Sequence, residues 1–220
     1  MEINKLIDHT LLKADAMQKQ MQTLCEEAKR YEFFSVCVNS YWVAYCVQQL
    51  LGSSVKVCSV VGFPLGAMST KAKAYECACA IDDGASEIDM VMNIGALKAG
   101  HYDVVVNDIK AVVDAARGNI VKVIIETCLL SDDEIIKASA LCLKAKAHFV
   151  KTSTGFNSAG ANPRVVQLMS DSVKGKALIK AAGGVRSIED LEEMLASGAS
   201  RIGTSSGVKL MQGDKAEGSY

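Results

Sequence analysis

The chain has no uninterrupted apolar stretch near the ~18 residues that a membrane-spanning helix needs. No apolar signal core follows its start either: MEINKLIDHT carries charges, and a cytoplasmic location is expected. No Pro/Gly/Ser-rich linker divides the 220 residues, which hold only 2 prolines. One domain over 1–220 is therefore expected, with a short C-terminal tail from about 212. Neither charge sign dominates: 24 Lys and Arg stand against 25 Asp and Glu, for a net charge of -1. Without a basic stripe, nucleic-acid and membrane-surface binding lose support, and a small, locally recognised ligand is expected. The 3 histidines, His9, His101 and His148, lie far apart, and no dedicated metal site is expected. There are 8 cysteines but no C-x-x-C pair. Cys37, Cys58, Cys128 and Cys142 sit in apolar segments and read as reduced, buried thiols, and Cys77 and Cys79 are two apart on a probable helix, where side chains do not face each other.

What the chain does have is recurrence. With 50% hydrophobic residues it can build a sizeable core, and β-rich runs return along it. They are LIDHTLL from Leu6, FSVCVN from Phe34, KVCSVVG from Lys56, EIDMVMN from Glu87, VKVIIET from Val121, FVKTST from Phe149, ALIKAAG from Ala177 and RIGTS from Arg201. Helical patterns lie between them; from Asp103 to Arg117, Val104, Val105, Ile109, Val112 and Val113 form an apolar stripe. Ser131 with Glu134 and Ser187 with Asp190 have the spacing of capping boxes. Strands apolar on both faces, such as VKVIIE, fit a parallel sheet covered by helices. Eight β/α units in this length predict an α/β fold, a single (β/α)8 (TIM) barrel, with an open doubly wound sheet as the alternative.

Barrel chemistry gathers at the C-terminal ends of the strands. Lys151 and Lys180 come late in their runs, followed by TSTG and AAGG, whereas Lys56 and Lys122 come early and are assigned to a solvated role at the opposite rim. An ordinary lysine titrates near ~10.4, so neutrality at working pH requires about 3 units, or roughly 4 kcal/mol. Burial and a second ammonium can supply that: if both lysines point inward, each disfavours protonation of the other, and a neutral amine can attack a carbonyl to form a Schiff base. In EIDMVMN, Ile88, Met90 and Met92 share the helix-facing side, which turns Asp89 into the lumen. There it either neutralises a lysine or moves protons. The glycine-rich ends around Gly183 and Gly184 and from Gly203 to Gly207, with a short helix opening near Ser205 and Ser206, sit where barrel enzymes hold phosphate; Thr154-Gly155 offers a third amide.

IDHTLLK, SVCVN, VVGFPLGA, EIDMVMNIGAL, VKVIIETCLL, FVKTSTGF, KAAGGVR and RIGTSSGV, in this order, resemble the deoxyribose-phosphate aldolase family over nearly the whole chain. The resemblance implies a class I aldolase without metal or organic cofactor, reversibly cleaving 2-deoxy-D-ribose 5-phosphate to D-glyceraldehyde 3-phosphate and acetaldehyde. It implies Lys151 as Schiff-base nucleophile, Lys180 as the lysine that lowers its pKa, and Asp89 as proton donor and acceptor. Asp8, Thr10 and Cys37 would line the pocket, and Gly155, Gly183, Gly184, Ser205 and Ser206 would bind phosphate. Tyr220, at the end of GDKAEGSY, matches a family tyrosine that assists proton exchange. Ser40 departs from the family, which usually has proline there. The expected partners are small phosphosugars and aldehydes; a homodimer is compatible with the sequence, since the outer helices of a barrel carry apolar surface with or without a partner. A related Schiff-base aldolase or transaldolase, and a phosphosugar-binding barrel without turnover, are the rival readings.

Overall fold

In a computed structural model that describes residues 2–214, every one of the eight runs is a strand. In chain order the elements are β1 (Ile7–Leu11), α1 (Gln18–Arg30), β2 (Ser35–Val38), α2 (Val43–Gln49), β3 (Lys56–Val61), α3 (Thr70–Asp82), β4 (Glu87–Val91), α4 (Ile94–Lys98) and α5 (Tyr102–Ala115). They continue with β5 (Ile120–Ile124), α6 (Asp132–Lys144), β6 (Phe149–Lys151), α7 (Pro163–Val173), β7 (Leu178–Ala182), α8 (Ile188–Ala196), β8 (Arg201–Thr204) and α9 (Gly207–Gln212). Each strand pairs in parallel with the next, and β8 returns to β1. The sheet is a closed barrel, and the open-sheet alternative falls away.

Two apolar layers result from strand alternation. The larger lies between the barrel wall and the helices and takes in Ile88, Met90 and Met92 from one face of β4. The smaller is inside the barrel, where Leu12, Cys37, Cys58 and Val60 cluster. Both predicted capping boxes form: the Ser131 hydroxyl accepts from Glu134 N–H and the Ser187 hydroxyl from Asp190 N–H, each at a helix start. The eight cysteines are unbridged, with Cys79 and Cys128 half-buried and the rest buried.

Two expectations change. Helix α5 buries Val105, Val106, Ile109 and Val112, while Val104 is 50% exposed. The inward face also carries Asp108, tolerated because Lys73 of α3, itself buried, places Nζ 2.6 Å from its carboxylate. Lys122 is not a rim residue. Strand β5 starts at Ile120, so Lys122 is its third residue and faces Asp89 across the β4–β5 register, fully buried. Lys56, by contrast, opens β3 and is exposed.

Candidate active site

Strand alternation sends Asp8, Glu87, Asp89, Lys122, Lys151, Lys180 and Arg201 into the barrel, where they form one buried ionic network. Asp89 is its centre. Its Oδ2 lies 2.7 Å from Lys151 Nζ and 2.7 Å from Lys180 Nζ, and its Oδ1 lies 2.9 Å from Lys122 Nζ. The Cys58 thiol donates to the same Oδ1 at 3.2 Å. Burial would push the Asp89 carboxyl up, but the charges of Lys122, Lys151 and Lys180 outweigh it and hold the group well below the usual range.

On β1, Asp8 has a similar role. It pairs with Lys180, accepts from Arg201 at 2.9 Å and from the Ser35 hydroxyl at 2.7 Å. Burial opposes its ionisation, yet Lys180, Lys122 and Arg201 bring it from 3.8 down to about 2. For Lys180 the balance is the mirror image: burial favours the neutral amine, but Asp8 and Asp89 dominate and hold the ammonium well above the ordinary lysine value. The expected mutual depression of the two lysines is thus corrected for Lys180, which is a fixed cation. Gly203 leaves room for this placement, since a Cβ there would stand 3.0 Å from Lys180 Cε.

The glycine ends converge as expected. Gly155, Gly183, Gly184, Ser205 and Ser206 line one pocket of about 140 Å³, together with Arg186. Gly155, Gly183 and Gly184 have φ of +86°, +80° and +85°, a left-handed backbone that glycine adopts without strain. Thr10 is the register partner of Cys37; its hydroxyl donates to the Asp8 carbonyl at 2.8 Å, and it lines a cavity of about 350 Å³ beside His9, Glu27 and Ser205. Cys37 is buried inside the barrel. Its Sγ, that of Cys58 and an Asp89 oxygen lie within 4.8 Å of one another. Tyr220 falls outside the described residues.

Several functional neighbours escaped sequence reading. Glu87 had a signal, since it shares the Asp89 face two residues earlier; Arg201, which contacts Glu87 at 2.9 Å, opens β8. Glu126 gave no signal. It is a buried non-glycine residue at φ +52°, and its carboxylate accepts from the Thr154 N–H at 3.1 Å and from the Thr154 hydroxyl, tying the end of β5 to the loop after Lys151.

Comparison with known proteins agrees with this geometry. A family description, DeoC/LacD family aldolase, matches residues 3–213. The chain is 56% identical over 220 residues, the full length of both, to a Streptococcus uberis protein named deoxyribose-phosphate aldolase. A Geobacillus protein of the same name is 54% identical, covering 99% of this chain and 98% of its own. Among solved structures, a putative deoxyribose-phosphate aldolase from Coccidioides immitis superposes with a TM-score of 0.94 at 46% identity, over 96% of this chain and 85% of that one. The tetrameric enzyme from Aeropyrum pernix gives 0.89 at 31% identity, over 96% and 89%. The chain belongs to the DeoC/LacD family of aldolases.

Proposed function

We propose that this protein is a class I aldolase that reversibly cleaves 2-deoxy-D-ribose 5-phosphate to D-glyceraldehyde 3-phosphate and acetaldehyde, with Lys151 as the Schiff-base nucleophile. The observation that carries the reading is a charge imbalance. Four cations, Lys122, Lys151, Lys180 and Arg201, share three carboxylates, Asp8, Glu87 and Asp89, inside a water-poor barrel. Releasing one proton brings the network to neutrality. Of these four, Lys151 has one carboxylate contact, Asp89, whereas Lys180 and Arg201 have two each and Lys122 has three. It is also the lysine of the three that touches solvent, at 3% exposure.

The neutral Lys151 amine adds to the sugar aldehyde, and loss of water gives an iminium. Asp89, ionised and 2.7 Å from Lys151 Nζ, takes up the amine proton and passes it on through water, while Lys180 donates hydrogen bonds as the hydroxyl departs. The iminium is an electron sink. Removing the proton of the hydroxyl two carbons beyond it breaks the carbon–carbon bond, frees the phosphorylated triose and leaves an enamine; protonation and hydrolysis then release acetaldehyde and restore the amine. The glycine amides and Arg186 of the 140 Å³ pocket are suited to the phosphate, which lies far from the bond broken and so positions the sugar.

Acetaldehyde with borohydride, followed by peptide mapping, tests the reading. A two-carbon adduct on Lys151 is expected, and an adduct elsewhere, or none, overturns it. Lys151→Ala should lose roughly 10⁴-fold or more in kcat while retaining phosphosugar binding. Full binding without any aldehyde release by the unaltered protein would favour a non-catalytic barrel.

A further inference from the structure

We propose that Cys37, Cys58 and Asp89 form a binding site for a thiophilic divalent cation of the zinc type, and that its occupation shuts the aldolase site. This deepens the reading of the same site and rests on the roles given above to Lys151 and Asp89. Cys37 and Cys58 are Cα partners on β2 and β3, so both thiols project from neighbouring strands into the barrel, and both are fully buried. Their sulfurs and an Asp89 oxygen lie within 4.8 Å of one another, with Cys58 Sγ 3.2 Å from Asp89 Oδ1. Zinc bonds of about 2.3 Å to sulfur and about 2.0–2.2 Å to carboxylate set tetrahedral ligands roughly 3.5–4 Å apart. The three donors reach that arrangement by small side-chain movements.

Charge is the objection to any metal among four cationic side chains, and proton release answers it. The incoming dication replaces two thiol protons, so the net charge of the network does not change. Lys122 then serves as an outer partner, with Nζ 3.5 Å from Cys58 Sγ and 2.9 Å from Asp89 Oδ1. Two sulfurs and one carboxylate suit zinc or cadmium and not magnesium or calcium, which demand six or more oxygens. A metal on Asp89 Oδ1, the oxygen 3.2 Å from Cys58 Sγ, binds the carboxylate whose Oδ2 holds Lys151 and so opposes the proton transfer proposed for Asp89.

The test uses the purified full chain with a non-thiol reductant. Zinc should inhibit turnover, a chelator should restore it, and magnesium should have no effect. Cadmium should give a thiolate charge-transfer absorbance saturating at one equivalent. Cys58→Ala, and the nearly isosteric Cys58→Ser in case the first fails to fold, should each be at least about 10-fold less zinc-sensitive relative to their own uninhibited rates, and should lose the cadmium band. Equal zinc sensitivity in the Cys58 variant that folds, no cadmium band in the unaltered protein, or a band that persists in the variant on other thiols such as Cys25 and Cys46 would overturn the proposal. The cadmium signal needs no turnover, so failure of this site and failure of the aldolase reading, which the borohydride adduct reports, are separable.

Discussion

Lys151 and Lys180 are register partners on β6 and β7, and their two ammonium nitrogens converge on a single oxygen, Asp89 Oδ2, each at 2.7 Å. The carboxylate stands between the charges and holds both side chains in place. What separates the lysines is the other side of Lys180, where Asp8 closes a second ion pair that Lys151 lacks. Lys180 is thereby held between two carboxylates, and Lys151 meets one.

Replacing Lys180 should act on pH dependence as well as on stability, since Asp8 and Asp89 lose a buried counterion. Its ammonium shares Asp89 Oδ2 with Lys151, so the proposed mechanism sets a second positive charge beside the reacting amine. Lys180→Leu should move the ascending limb of the kcat/KM profile to higher pH by about one unit or more. An unmoved profile in residual activity would remove the tuning role.

Lys122 should behave as a buried ion and not as a rim lysine. Lys122→Met leaves Glu87, 2.5 Å away, and Asp89 with one fewer counterion. A loss of about 3–5 kcal/mol is expected from denaturant unfolding, against about 0.5 kcal/mol or less for a solvated surface position.

Acid should expose the Asp8 pairing. Its folded-state pKa is depressed from 3.8 to about 2, so the stability it contributes is present above 3.8 and is lost as pH falls towards 2. That contribution is on the order of 2 kcal/mol. Asp8→Asn should lower stability at neutral pH and flatten its decline between pH 4 and 2, read from urea midpoints; a parallel decline would separate Asp8 from acid unfolding.

Close backbone approach sets the glycine-lined pocket proposed to hold phosphate. A Cβ on Gly160 would sit 2.2 Å from the Gly183 carbonyl oxygen, and Ala161 N–H donates to that same oxygen at 2.8 Å. Gly160→Ala should push the two loops apart and raise KM for the phosphorylated sugar about 10-fold or more, with a smaller effect on unphosphorylated aldehydes. Equal effects on both substrates would mean the pocket does not hold phosphate.

Much of this architecture was legible in one dimension. The alternation in β4 turned Asp89 inward and Met90 outward, as found, and Ser131 and Ser187 marked their helix starts. Position along a run was a poorer guide. Lys122 looked early only because β5 begins ahead of its apolar run, at Ile120, and the β4–β5 register sets it beside Asp89. The α5 stripe failed on Val104 because a buried Lys73–Asp108 pair takes some of the inner face.

Local sequence determined the elements and their inward faces, because a two-residue period and a helix cap are decided by neighbours along the chain. Which charges meet was decided by barrel closure. Asp8 and Lys180 are 172 residues apart, and the left-handed Glu126 reaches Thr154 across a loop. Such pairings depend on strand register around a closed sheet, and on how many carboxylates each buried cation finds there.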